Sequence, residues 1–140
     1  MAETDVFTEA FGVGQGMAEV KKTILVVDDD PYILRVFRRV FEKKGYAVTT
    51  AGTYRDALHY LRQNRFNAAL LDVRLPDMDG TRLLPVIREA SPGAVRIVFT
   101  GSPPEEFANG CLDKSVDAFL VKPVKPEVLL GILDEKLKTK

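Results

Sequence analysis

Charged and hydroxyl side chains stand directly after apolar runs at four separate places in this chain of 140 residues. Asp28 and Asp29 follow the run TILVV, and Asp72 follows NAALL. Thr100 follows VRIVF, and Lys122 follows DAFLV. A charge next to a buried segment is costly unless another group pairs with it. Each acid therefore predicts a partner, and the other three positions supply candidates.

These residue types suit one kind of chemistry if the fold brings them together. Clustered carboxylates repel one another unless a cation neutralises them, and all-oxygen ligands with open water positions suit Mg²⁺. A lysine and a hydroxyl can bind further phosphate oxygens. An aspartate beside the metal can act as a nucleophile and form an acyl phosphate. The set therefore predicts phosphoryl transfer to a carboxylate.

Apolar runs alternate with helical patterns from Lys21 onward, and this alternation must position the set. The predicted strands are 23–27, 46–51, 67–71, 95–99 and 117–121. The predicted helices are 31–44, Thr53 to about Gln63, a segment after Gly80, 104–114 and a segment from Pro126. This pattern predicts an α/β fold, (βα)5 and doubly wound, with a parallel sheet of order 2-1-3-4-5. Ligands bind at the carboxyl ends of such strands.

Local signals mark the helix ends. Asp30 before Pro31 predicts an N-cap followed by proline at the first helical position, and Gly45 predicts the end of that helix. Thr53 and Asp56 resemble a capping box. Gly110 weakens the predicted helix 104–114.

Composition predicts one domain, residues 21–140, preceded by a flexible acidic extension, residues 1–20, that contains no Lys or Arg. The formal net charge is zero, which gives no bias toward nucleic acid or membrane surfaces. No apolar run approaches the ~20 residues of a membrane span. One cysteine, Cys111, fits a reducing compartment, and the absence of a secretory signal pattern makes the cytoplasm the expected location.

Four motifs, ILVVDDDP, LLDVRLPDMDG, VFTGS and DAFLVKP, together resemble the signatures of the response-regulator receiver domain, the CheY-like fold of two-component signalling. The resemblance covers about residues 22–138. It implies that Asp72 is the phosphoacceptor. It also implies that Asp28, Asp29, Asp72 and the backbone carbonyl of Arg74 hold Mg²⁺, for which Mn²⁺ can substitute.

The resemblance implies roles for the remaining motif residues. Thr100 and Lys122 bind the phosphoryl oxygens, and Thr100 with Phe119 forms an aromatic switch. Pro123 follows the lysine where the family often has a cis peptide bond. The residues predicted to tune the access of water and phosphate are Arg74, Gly101 and Ser102.

The resemblance also implies partners. A sensor histidine kinase or a histidine phosphotransfer protein donates the phosphoryl group. Phosphorylation then switches the 4-5-5 face, which consists of the fourth predicted helix, the fifth strand and the fifth helix, to control a downstream protein or output domain. A phosphorylation-dependent dimer through this face is a further prediction. We predict neither direct nucleic-acid binding nor a membrane association, and no enzymatic activity beyond the domain's own phosphorylation and dephosphorylation.

Two other functions compete. A haloacid-dehalogenase-type Mg²⁺ phosphatase would use Asp28 as its nucleophile, but Tyr32 stands where that motif needs a small residue, and Asp72 would have no role. A docking module without phosphorylation would not need the complete acidic set with Lys122. Ordinary structural explanations cover the other polar residues: Asp77 and Asp79 are predicted in a solvated loop, and His59 at the surface or at its boundary with the core. The cationic residues of the first helix are predicted to form a solvated face; they are Arg35, Arg38, Arg39, Lys43 and Lys44.

Overall fold

The computed structural model describes residues 21–101 and 116–138, which contain a five-stranded parallel sheet of order β2-β1-β3-β4-β5. The strands are β1 Thr23–Val27, β2 Ala47–Ala51, β3 Ala68–Leu71, β4 Val95–Thr100 and β5 Ala118–Val121. The central strands β1 and β3 are almost wholly buried, as expected for continuous apolar runs with helices on both faces. The predicted fold class and strand order are therefore confirmed.

Helices lie on both faces of this sheet. They are α1 Pro31–Lys43, α2 Tyr54–Gln63, α3 Leu83–Ala90 and a C-terminal helix Pro126–Lys138. A short 3-10 turn, Gly80–Arg82, precedes α3. On one face, the sheet packs against α1 and the C-terminal helix, and on the other face against α2 and α3. The two layers follow from strand alternation, because Ile24 and Val26 point to the first face and Leu25 and Val27 to the second.

The predicted helix ends are present. The carboxylate of Asp30 accepts a hydrogen bond from the Tyr32 N–H, and the hydroxyl of Thr53 accepts one from the Asp56 N–H. Gly45 has a φ of 97°, a conformation that favours glycine. Strand β1 has the predicted limits, and each of the other four strands differs from the prediction by one residue at one end, within the usual uncertainty of element ends. The helix predicted after Gly80 begins with a 3-10 turn.

Some predictions lie outside the described residues. These are the extension 1–20, the helix 104–114, Ser102 and Cys111. Among the described helices, none combines the length and the apolar character needed to cross a membrane.

The sheet brings the carboxyl ends of β1, β3, β4 and β5 side by side. The backbone hydrogen bonds of the parallel sheet continue one residue beyond the ends of β1 and β3. The Asp28 N–H donates to the Ala51 carbonyl, and the Asp72 N–H donates to the Val27 carbonyl. Backbone bonding thus fixes where both acids leave the sheet.

Candidate functional site

Two buried acids lie at neighbouring strand ends. Asp28 has no exposed surface and Asp72 is 4% exposed, although each carries a carboxylate. Since strands β1 and β3 pair directly, the two side chains lie close together. Buried carboxylates of like charge repel each other, so this arrangement needs a cation.

Lys122 supplies that cation from the end of β5. Its Nζ lies 2.5 Å from Asp28 Oδ2 and 3.0 Å from Asp72 Oδ2. The same Nζ lies 5.1 Å from the centre of the Phe99 ring. The backbone N–H of Lys122 donates to the Thr100 carbonyl, so β4 and β5 together fix the base of the lysine. One ammonium therefore bridges two acids from separate strands, and the partner predicted for Asp28 and for Asp72 is present.

The second oxygen of each carboxylate bonds to its own loop. Asp28 Oδ1 accepts the Asp30 N–H at 2.9 Å, and Asp72 Oδ1 accepts the Arg74 N–H at 3.1 Å. Both contacts span two residues and orient the carboxylates locally. The lysine and the loop backbones thus hold the two acids in defined orientations.

Burial and pairing shift the ionisation of this group in two directions. Burial raises the pKa of Asp28 above its usual value, and the hydrogen bond from Lys122 offsets part of that rise. Burial alone would lower the pKa of Lys122, but its hydrogen bonds to Asp28 and Asp72 more than compensate, so the pKa is raised. The lysine is therefore protonated at neutral pH, while the Asp28 carboxylate is less stable in its charged form than a solvated aspartate.

Asp29 completes a set of acids that fits a metal ion. Asp28, Asp29 and Asp72 can each offer one carboxylate oxygen, and these oxygens lie within 4.8 Å of one another. Asp29 is exposed, whereas the other two are buried, so the set opens to solvent on one side. All-oxygen donors with access for water match the preference of Mg²⁺. The donor chemistry therefore fits the predicted metal.

The other predicted residues lie around this group. Thr100 is fully buried at the end of β4, and Gly101 follows it. A Cβ added at Gly101 would lie 3.9 Å from the Lys122 Cβ, an ordinary contact. Phe119 is partly buried in β5, where it pairs with Val98. The Lys122–Pro123 peptide bond is cis, as the resemblance implied. The functional roles of these residues stay predictions.

The loop between β3 and α3 contains contacts that the sequence analysis did not anticipate. A Cβ added at Gly80 would lie 1.9 Å from the Asp72 carbonyl oxygen, so the backbones approach more closely than any other residue allows. Asp77 and Asp79 are exposed, as predicted, but both make specific bonds. Asp77 accepts N–H bonds from α2, and Asp79 caps the 3-10 turn. A glycine four residues beyond the turn-forming Pro76 was the available signal for the close approach.

Residues assigned to the surface are found there. His59 is exposed on α2, with its ring 5.5 Å from that of Tyr60. The cationic side chains of α1 are also exposed. Among them, Arg38 donates to the Val48 carbonyl and lies 3.7 Å from Glu42. These contacts support the interpretation of a solvated helix face.

Comparison with known proteins identifies the same family. The sequence model described as the response regulator receiver domain matches residues 24–134. The crystal structure of a receiver domain protein (CheY-like) from Methanospirillum hungatei JF-1 matches with a TM-score of 0.79 and 39% identity, over 86% of this chain and 96% of that chain. A response regulator protein from Burkholderia pseudomallei, crystallised with a phosphorylated aspartic acid, calcium ion and citrate, matches with a TM-score of 0.74 and 27% identity, over 85% of this chain and 70% of that chain.

A curated relative extends well beyond the matched region. The transcriptional regulatory protein GlrR of Escherichia coli (strain K12) is 32% identical over 117 residues, which are 82% of this chain and 26% of GlrR. The chain thus spans about a quarter of the length of this relative. The family match, the shared fold and these identities confirm the resemblance drawn from the four motifs: the chain belongs to the response regulator receiver domain family.

Proposed function

We propose that this chain accepts a phosphoryl group on Asp72 in a Mg²⁺-dependent reaction. The donor is a sensor histidine kinase or a histidine phosphotransfer protein. The observation that carries the proposal is the bridge from one lysine, Lys122, to two buried carboxylates at neighbouring strand ends. A structural ion pair needs one acid per lysine, whereas a second acid adds a negative charge that favours binding a further cation.

Asp72 is the proposed nucleophile. Its Oδ2 lies beside the Lys122 ammonium and its Oδ1 accepts the Arg74 N–H, so the carboxylate is oriented before the donor arrives. In the transfer, a bond forms between an Asp72 oxygen and phosphorus as the bond from phosphorus to the histidine nitrogen breaks. Lys122 then neutralises charge on the phosphoryl oxygens, and the Thr100 hydroxyl binds one of them.

The proposed metal ligands are Asp28, Asp29, Asp72 and the backbone carbonyl of Arg74, around Mg²⁺ or Mn²⁺. The metal supplies positive charge to the phosphoryl oxygens. The Burkholderia pseudomallei relative, whose structure contains a phosphorylated aspartic acid and a calcium ion, supports this assignment by similarity. In this chain, the residues contribute the binding site itself: buried Asp28 and Asp72 position the oxygens, while exposed Asp29 faces the solvent from which the metal enters.

The proposed output is a change at the 4-5-5 face. Thr100 moves toward the phosphate and Phe119 turns inward, which changes the surface of β5 and the C-terminal helix. Within the described part of this face, Val121 and Val128 are 52% and 48% exposed, so apolar surface is available to a partner or to a second copy of the chain. Arg74, Gly101 and Ser102 are proposed to tune the hydrolysis of the acyl phosphate.

The division of the chain into an extension, residues 1–20, and a receiver domain, residues 21–140, is part of this proposal. The haloacid-dehalogenase alternative, with Asp28 as nucleophile, receives no support from the family match or from the relatives reported above. The position of the phosphoryl group separates the two functions directly.

Intact-mass spectrometry after incubation with Mg²⁺ and acetyl phosphate tests the proposal. We expect a single phosphoryl adduct on the wild type and none on Asp72→Asn or in the presence of EDTA. Asp117→Asn is the matched control, because it removes an exposed acid at the opposite edge of the sheet and should leave the adduct intact. An adduct that persists in Asp72→Asn and disappears in Asp28→Asn would instead establish Asp28 as the nucleophile.

A further inference from the structure

The loop after the phosphoacceptor position forms a narrow hairpin. The Gly80 N–H donates to the Val73 carbonyl at 2.7 Å, and Arg74 and Asp79 form an antiparallel bridge. Pro76, like its neighbours up to Asp79, is exposed at the tip. Backbone bonds therefore join the two arms of this hairpin, residues 73–80, at its base. The orientation of the hairpin depends on the contacts of its tip.

Asp77 connects that tip to α2. Its Oδ1 accepts the Tyr54 N–H at 2.9 Å and its Oδ2 accepts the Arg55 N–H at 3.1 Å. The next two N–H groups of α2, those of Asp56 and Ala57, donate to the hydroxyl and carbonyl of Thr53. The first turn of a helix has four N–H groups without partners in the helix, and two of them are bonded here by a residue from another loop.

The direction of the pKa shift agrees with this geometry. The Tyr54 N–H is the main cause that lowers the pKa of Asp77, and the Arg55 N–H contributes further. The carboxylate is therefore charged at neutral pH, the form that accepts both bonds.

We propose that Asp77 is a positioning residue for metal binding: by bonding the first turn of α2, its carboxylate fixes the hairpin 73–80 and so holds the Arg74 backbone beside Asp72. This inference rests on the proposed function, in which the Arg74 carbonyl is a Mg²⁺ ligand. Asp77 itself touches neither the metal nor the phosphoryl group.

The contacts around Arg74 show why the tip matters. The Arg74 N–H bonds to Asp72 Oδ1, so movement of the hairpin changes both the orientation of the phosphoacceptor and the direction of the Arg74 carbonyl. Leu75, which packs against the core beneath α2 and α3, attaches the hairpin through apolar contact. Apolar contact limits the distance of the hairpin from the core, whereas the two bonds from Asp77 also fix its rotation.

Isothermal titration with Mg²⁺ tests the role of Asp77. We expect Asp77→Ala to bind Mg²⁺ about 10-fold more weakly than the wild type, the lower range for removing a group that orients a ligand. Asp77→Asn keeps one carbonyl oxygen as an acceptor and should give a smaller loss. Because a higher Mg²⁺ concentration compensates for weaker binding, phosphorylation of Asp77→Ala by acetyl phosphate should come closer to the wild-type rate at saturating Mg²⁺ than at low Mg²⁺.

Two control variants separate positioning from helix capping and from charge. Thr53→Ala removes another bond to the first turn of α2, and Asp56→Asn removes an acid from the same turn, yet neither residue lies on the hairpin. Both should retain the wild-type affinity for Mg²⁺. Amide hydrogen exchange adds a metal-free measurement: residues 74–78 should exchange faster in Asp77→Ala than in Thr53→Ala.

Each outcome has one meaning. If Asp77→Ala and Thr53→Ala bind Mg²⁺ equally well while Asp72 of the wild type is still phosphorylated, the positioning role is wrong and the proposed function stands. Equal exchange of residues 74–78 in the two variants also overturns the positioning role. If the wild type neither binds Mg²⁺ nor forms the adduct, the proposed function fails, and the inference fails with it.

Discussion

The two edges of the sheet use polar side chains differently. At the edge where the strands begin, side chains bond to backbone groups. The buried Ser91 hydroxyl accepts the Phe66 N–H at 2.9 Å, and the Asp117 carboxylate accepts the Arg96 N–H at 2.8 Å. These bonds replace secondary-structure bonds that the chain cannot make where a strand starts.

At the edge where the strands end, charged side chains bond to one another; we call this the functional edge, because it holds the candidate site. Lys122 bonds to both Asp28 and Asp72, and each acid is almost completely buried. A side chain that replaces a backbone bond cannot leave without exposing that backbone group. In the proposed function, by contrast, the ammonium shared by two acids exchanges one of them for a phosphoryl oxygen. Under the proposed function, the first edge therefore contributes stability and the second edge contributes exchangeable binding.

The largest effect is expected where the backbone itself approaches the functional edge. In Gly80→Ala, the new Cβ would lie 1.9 Å from the Asp72 carbonyl oxygen, so β3 and the hairpin must separate. We expect a loss of about 3 kcal/mol in the free energy of unfolding, measured by urea denaturation. The matched control is Gly131→Ala in the C-terminal helix, where nothing lies within 4 Å and the substitution should stabilise by ~0.5–1 kcal/mol. A Gly80→Ala variant with wild-type stability would contradict the close approach.

A smaller loss is expected at the opposite edge. Ser91→Ala leaves the Phe66 N–H without its bond in a buried environment, which should cost ~1–3 kcal/mol of unfolding free energy. Phosphorylation of Asp72 should stay at the wild-type rate, because this bond lies at the opposite edge of the sheet from the candidate site. Thr81→Ala, which removes an exposed hydroxyl bonded to Asp79, is the control and should change stability by about 0.5 kcal/mol or less. A clear change in the phosphorylation rate of Ser91→Ala would break the division between the edges.

The side chains that lie together at the functional edge were easier to predict from the sequence than the bonds at the other edge, for a physical reason. Alternating apolar runs determine strand order through burial, and parallel strands place all their carboxyl ends together, so Asp28, Asp72 and Lys122 could be grouped from position alone. The pairing of one lysine with both acids also follows from charge. Helix caps at Asp30 and Thr53 were predictable because they depend on neighbouring residues.

Contacts between distant segments could not be predicted in the same way. The bond from Asp77 to α2 spans 23 residues from Tyr54, and an acidic residue in a polar loop has the same local pattern with or without that bond. The sequence places Gly80 just before the third predicted helix, but its closeness to the Asp72 carbonyl depends on how the hairpin folds back. The bond between Ser91 and Phe66 likewise joins a helix end to a strand start, and no local pattern specifies it.

The smallest expected effects come from neutralising one acid at each edge. The two substitutions should change the free energy of unfolding in opposite directions. Asp28→Asn removes a buried charge. Its single amide oxygen can still accept the bond from Lys122, but it then loses the bond from the Asp30 N–H. We therefore expect the metal-free variant to be more stable than the wild type by roughly 1 kcal/mol near pH 7.5. Asp117→Asn removes a charge that bonds to the Arg96 N–H at an exposed position, and it should destabilise by a few tenths of a kcal/mol. Urea denaturation in EDTA measures both.

The pH dependence of this difference tests its cause. Because burial raises the pKa of Asp28 above 3.8, the folded state binds the proton more tightly than the unfolded state, and the Asp28 contribution to stability falls as the pH rises from 3.8 through the raised pKa. The advantage of Asp28→Asn should therefore be greatest near neutral pH and disappear as the pH falls below about 3, where the wild-type carboxyl is protonated in both states. The raised pKa of Lys122 acts only above its usual 10.5 and does not enter this range. An advantage that is independent of pH would show that packing, rather than the buried charge, distinguishes the functional edge.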